Sequence, residues 1–65
     1  VTFCYAIIEV NQSECKLSFR SINTDQAFQA AKKMGGGGHA KSAGAWMNIS
    51  ALEAKKEILN FINSF

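Results

Sequence analysis

Apolar residues recur along this chain with two different periods. From Val1 to Val10 both alternating faces are apolar: Val1, Phe3, Tyr5 and Ile7 on one, Cys4, Ala6, Ile8 and Val10 on the other. A strand buried on both sides carries such a pattern, which predicts a central place in its sheet. Asn11, Gln12 and Ser13 make a polar turn. Glu14–Ser21 then alternates, with Cys15, Leu17 and Phe19 on one face and Lys16, Ser18 and Arg20 on the other. The two segments are expected to pair as an antiparallel hairpin with a loop of about three residues.

The period changes after Ser21. Asn23 or Thr24 can cap a helix, with Gln26 placed to reach back to Asn23. Ala27, Phe28, Ala31 and Met34 form its buried stripe, and Gly35 ends it. Gly36–Gly38 read as a loop, His39–Ala43 as one short helical turn closed by Gly44, and Ala45–Ile49 as a third strand. Ser50 with Glu53 forms a capping box for a last helix running from Ala51 to about Ser64. Leu52, Ile58, Leu59, Ile62 and Phe65 lie on its stripe. The expected order is β-β-α-loop-β-α, an α+β architecture with a small sheet and two main helices on one face or end of it.

Composition narrows the function. The chain has 65 residues, one small domain at most, and its apolar share of 48% is that of a globular protein. Residues 1–65 are expected to be a single domain excised from a longer protein, since Val1 already sits inside a strand-like run and no initiator Met precedes it. With five acids and a single histidine, His39, the inventory is too thin for a metal cage or a self-contained hydrolase, so no catalytic and no metal-binding residue is assigned. A formal charge of +2 is too weak for a grip along a duplex but leaves room for one or two phosphates held locally. Cys4 and Cys15 fall roughly 15 Å apart in the expected hairpin, too far for a disulfide. Both are expected to be reduced, buried thiols of a cytoplasmic protein. No apolar run approaches the length of a membrane span, and no signal peptide is visible.

The stretch Gly35–Ala45, GGGGHAKSAGA, carries the most chemistry. Glycine lets a ligand approach the backbone, and a run of glycine amides can converge on an anion. A helical turn starting at His39 would add its own free N–H groups, and the His39 ring can hydrogen-bond or stack. Ser42, Ala43 and Gly44 are small enough for close packing. The chemistry fits phosphate or a nucleotide, with a purely structural turn or a flexible linker as alternatives. A P-loop is excluded because Lys-Ser/Thr does not follow the glycines in register, and a Rossmann fingerprint fits poorly because the run follows a helix. Arg20, at the end of the second strand, can hold phosphate bidentately, with Ser18 and Ser21 beside it. Trp46 can stack on a base but is assigned to the core, as are Tyr5 and Phe28.

Ser18-Phe19-Arg20-Ser21, a helix, and then Gly35–Ala45 resemble the DHH-associated C-terminal domain of the DHH phosphoesterases over nearly the whole chain. The loop resembles that of the oligoribonuclease-type and exopolyphosphatase-related members and departs from the cyclic-dinucleotide branch at Ser42-Ala43-Gly44. The resemblance implies that Gly36, Gly37, Gly38 and His39 hold substrate phosphate or nucleotide and that Arg20 binds phosphate; Ser21 and Ser42 complete the candidate set. It implies a separate N-terminal DHH domain carrying two manganese ions, with no cofactor in these residues. The substrate class would be a short oligonucleotide, a nucleoside bisphosphate, a cyclic dinucleotide, single-stranded DNA or polyphosphate, hydrolysed by that other domain. Expected partners are the nucleotide or single-stranded substrate, the DHH domain of the same polypeptide and, as a candidate, a second copy of the chain. A stand-alone nucleotide- or RNA-binding module without catalysis is the alternative.

Overall fold

The computed structural model describes residues 2–64. Val1 and Phe65, assigned above to the first strand and the last helical stripe, lie outside them. The elements are β1 (Phe3–Asn11), β2 (Glu14–Ser21), α1 (Gln26–Lys33), β3 (Gly37–Gly38), β4 (Ser42–Met47) and α2 (Ala51–Ile62). The strands form one antiparallel sheet in the order β1-β2-β4-β3. The fold is α+β as expected, with a short extra strand where the sequence suggested only a glycine loop.

β2 is the organising strand. Its alternation is clean because one face alone meets the core: Cys15, Leu17 and Phe19 are fully buried. Opposite them in β4 stand Met47, Ala45 and Ala43 in register. The small alanines let α1 approach closely, and it buries Ala27, Ala30 and Ala31 with Met34 just beyond its end. α2 contributes Ala54, Ile58 and Phe61 to the same cluster. Phe3 links the layers, with its ring 6.0 Å from Phe19 and 6.1 Å from Phe61. Both helices thus cover one face of the sheet, and no helix among the described residues lies on the other.

Several expectations change. β1 is an edge strand, not a central one. Its inward residues Phe3, Tyr5 and Ile7 pack on the core, while Cys4, Ala6, Ile8 and Val10 are exposed. β4 takes the inner place because it returns beside β2, so β1 is left with one neighbour. Cys4 is therefore an exposed thiol and only Cys15 is buried; both are free. The hairpin turn is tighter than expected, pairing Asn11 with Glu14 after a register shift at Val10. Asn11 Oδ1 accepts from the Ser13 N–H at 2.9 Å.

The start of α1 also differs. Asp25 is the cap residue and uses no side-chain cap bond. Asn23 sits at φ 64 and turns the chain, while the Thr24 hydroxyl accepts from the Gln26 N–H at 3.3 Å. Phe28 is only half-buried, as is Tyr5. α2 begins as expected, the Ser50 hydroxyl accepting from the Glu53 N–H at 3.2 Å. Of its expected stripe Ile58 is buried, but Leu52 and Leu59 are exposed. Ala54 and Phe61 replace them, so the buried face is rotated from the one the larger residues suggested. No helix is long and apolar enough to cross a membrane.

Candidate phosphate-binding face

The strand registers place residues in rows across the helix-free face. One row runs Cys4, Arg20, Ser42, because Cys4 pairs with Arg20 and Arg20 with Ser42. His39 continues it. His39 and Ser42 exchange backbone bonds, His39 N–H to Ser42 O at 2.8 Å and Ser42 N–H to His39 O at 3.3 Å. That exchange closes a tight two-residue turn at Ala40 and Lys41. The second row runs Ala6, Ser18, Gly44, Gly37. The third runs Ile8, Lys16, Trp46. Residues of a row share a face, so Arg20, Ser42, His39 and Gly37 come together although they are spread over three strands and a turn.

Arg20 is exposed. Its Nη1 donates to Phe19 O at 3.1 Å and lies 3.4 Å from Ser18 Oγ. Neither partner is an acid, so these bonds orient the guanidinium and leave its charge uncompensated. The head is thereby turned back over the middle row, whose residues carry small side chains or none. Lys16 and Lys41 add positive charge on the same face and at its turn. Glu14 lies at the opposite end of β2 from Arg20, held by Asn11 Nδ2 at 3.0 Å.

Ser21 has a different environment. It is 4% exposed and points to the core side. Its hydroxyl accepts from the Ala27 N–H at 3.1 Å and lies 3.1 Å from Thr24 O and 3.0 Å from Ala40 O, the two carbonyls open to its one proton. Its own N–H donates to Lys41 O at 3.0 Å. Ser21 therefore supplies the first-turn bond of α1 and ties the end of β2, next to Arg20, to the β3–β4 turn.

The four glycines divide by role. Gly35 has φ 88 and closes α1 with paired bonds, Gly35 N–H to Lys32 O at 3.1 Å and Gly36 N–H to Ala31 O at 2.6 Å. Gly36 and Gly38 lie so close over β4 that a Cβ would sit 2.1 Å from Gly44 O in one case and 2.6 Å from Ala43 Cα in the other. Gly37 has neither constraint: no positive φ and nothing within 4 Å of a Cβ. It is the glycine of the run that the fold itself does not require.

Two parts of the expected chemistry change with this geometry. No helical turn starts at His39; residues 39–42 form the hairpin turn and Ser42 opens a strand. The N–H groups of Gly35, Gly36 and His39 are spent within the fold and are not open to an anion. The glycines bring β3 against β4 and leave the open face flat beside Arg20. Trp46 is also not a core residue. It is 55% exposed, on the open face, and its Nε1–H donates to the Glu14 carboxylate. Lys16, which the β2 alternation already set beside Ser18 and Arg20, shares this face, as does Cys4, expected to be buried; neither was a candidate site residue.

Among the described residues no group of three or more His, Cys, Asp or Glu could hold a metal ion. Manganese therefore does not fit the described residues.

The domain is thus a two-layer α+β fold whose basic sheet face, bare of helices among the described residues, is bordered by the glycine-rich β3–β4 hairpin. The family profile of the DHHA1 domain matches residues 2–65, nearly the whole chain. The chain belongs to that family, the DHH-associated C-terminal domain of the DHH phosphoesterases. A search of curated proteins finds no match to it.

Proposed function

We propose that this domain holds a phosphate group of the substrate for a DHH phosphoesterase and leaves hydrolysis to a separate, metal-bearing DHH domain. The observation that carries the reading is Arg20: a guanidinium held by neutral partners on an open face, in one row with Ser42 and His39. A guanidinium in that state offers paired N–H donors to an oxyanion. Ser42 supplies a hydroxyl, His39 a ring N–H, and Gly37 a stretch of backbone with no side chain in the way. Gly36 and Gly38 hold the β3 backbone down on β4, and Ser21 fixes the end of β2 from which Arg20 projects. Binding and orientation are the contribution such a face makes to phosphoryl chemistry.

The substrate is a nucleotide, a short oligonucleotide, a nucleoside bisphosphate or polyphosphate. Arg20→Ala and His39→Ala are each expected to weaken phosphate-ligand binding at least about tenfold, the scale of a lost charge-assisted bond. Isothermal titration with ribose 5-phosphate reads this directly. Affinities within twofold of wild type for both variants would overturn the reading. A stand-alone binding module would give the same titration; coupling of these variants to hydrolysis in a protein that also carries a DHH domain separates the two.

A further inference from the structure

We infer that Trp46 is a specificity-determining residue, the platform on which the base of a nucleotide ligand stacks. The inference rests on the phosphate-binding reading of the same face and adds the residue that would favour nucleotides over polyphosphate. Trp46 contributes little to the core: it is 55% exposed and stands on the open face, in register with Lys16. Its indole edge is tied down, because Nε1–H donates to a Glu14 carboxylate that Asn11 Nδ2 also holds. An aromatic ring fixed by its edge and more than half open to solvent has much of its side-chain entropy already spent before a ligand arrives. Ile8, on the other side of Lys16 in the row, is 52% exposed and extends the apolar surface.

The spacing fits one nucleotide. Arg20 Nη1 lies over Ser18, in the middle row. The Trp46 row is two residues farther along the strands, about 7 Å at strand rise. That matches the distance from a phosphate to its own base across one sugar. Ser18 and Gly44, in the row beneath the guanidinium head, are small enough to leave room for the phosphate and the ribose that follows it. A phosphate on Arg20 therefore brings the attached base to Trp46, whereas inorganic polyphosphate offers the indole nothing. Base–aromatic stacking tolerates any base, so the face would favour nucleotides without strong sequence preference.

Trp46 is the sole tryptophan, so its fluorescence reports on this ring alone. Adenosine monophosphate, ribose 5-phosphate and inorganic tripolyphosphate are titrated in parallel, with affinities from calorimetry. Adenosine monophosphate should quench Trp46 and bind at least about fivefold tighter than ribose 5-phosphate, the low end of the stacking range. Trp46→Ala should erase that preference and leave ribose 5-phosphate affinity unchanged; Trp46→Phe should keep most of it. Circular dichroism checks that both variants fold. Equal affinity of the wild type for the two sugar phosphates, or an unchanged preference in Trp46→Ala, overturns the inference while the phosphate reading stands. Failure of every phosphate ligand to bind the wild type overturns both.

Discussion

Gly36 and Gly37 are neighbours in one run of glycines, yet alanine at the two positions should have opposite consequences. At Gly36 the new methyl would lie 2.1 Å from Gly44 O and 2.7 Å from Ala45 Cα. Both are backbone atoms of β4, which is held in register by β2 on its other side, so neither can move aside cheaply. Overpacking of a close-packed site costs typically about 1–3 kcal/mol, and a backbone clash belongs at the upper end or beyond. A domain of 65 residues has only about 3–10 kcal/mol in total at the usual stability per residue. At about 4–8 °C per kcal/mol, a loss of 3 kcal/mol lowers the melting temperature by roughly 12–24 °C. At Gly37 a Cβ meets nothing within 4 Å and φ is unrestrictive. Alanine there should be neutral or stabilising by up to about 1 kcal/mol, through reduced freedom of the unfolded chain. Thermal melts followed by circular dichroism compare the two. Equal melting temperatures for Gly36→Ala and Gly37→Ala would refute the packing of β3 over β4. Because Gly37 lies on the open face, its alanine variant should fold normally and still bind ribose 5-phosphate more weakly than wild type.

Two further outcomes concern the frame beneath the site. Ser21→Ala leaves the Ala27 N–H and the Ala40 carbonyl without their buried partner and should cost about 1–3 kcal/mol in chemical denaturation, whereas Ser42→Ala, on the exposed face, should stay within about 0.5 kcal/mol of wild type. Burial pushes the Cys15 thiol above its ordinary value of 9.0. The unfolded chain then releases its proton first as pH rises, so the Cys15 contribution is fully present below about pH 8 and is lost above pH 9. Denaturant midpoints at pH 7 and pH 10 should converge in Cys15→Ala relative to wild type; an unchanged difference would count against the burial.

The core-facing half of the molecule was readable from periodicity. Cys15, Leu17 and Phe19 alternate with polar residues, and Ser50 announces α2, because these signals act between residues close in the chain. β1 was misplaced because apolarity marks both of its faces, and nothing in a single strand tells which side another strand will take. The same ambiguity hid Trp46, whose size suggested a core residue while its even-numbered place in β4 puts it outward with Ser42 and Gly44. Arg20, Ser42 and His39 were each legible as candidates, but their meeting in one row depends on the β2–β4 register. The glycines were legible as special without revealing why. Gly36 and Gly38 answer to backbone atoms of β4, partners that only tertiary structure brings near. Ser21 looked like a ligand for phosphate, and its partners Ala27 and Ala40 lie on two other elements.

Amide chemical-shift mapping during a titration with ribose 5-phosphate tests the central claim most directly, because it locates the ligand without altering any residue. The largest shifts should fall on Arg20, Gly37, His39, Ser42 and Gly44, the first two rows of the open face, with α1 and α2 nearly silent. Shifts centred on the helices, on the β1–β2 turn, or spread evenly over the chain would contradict a phosphate site on this face.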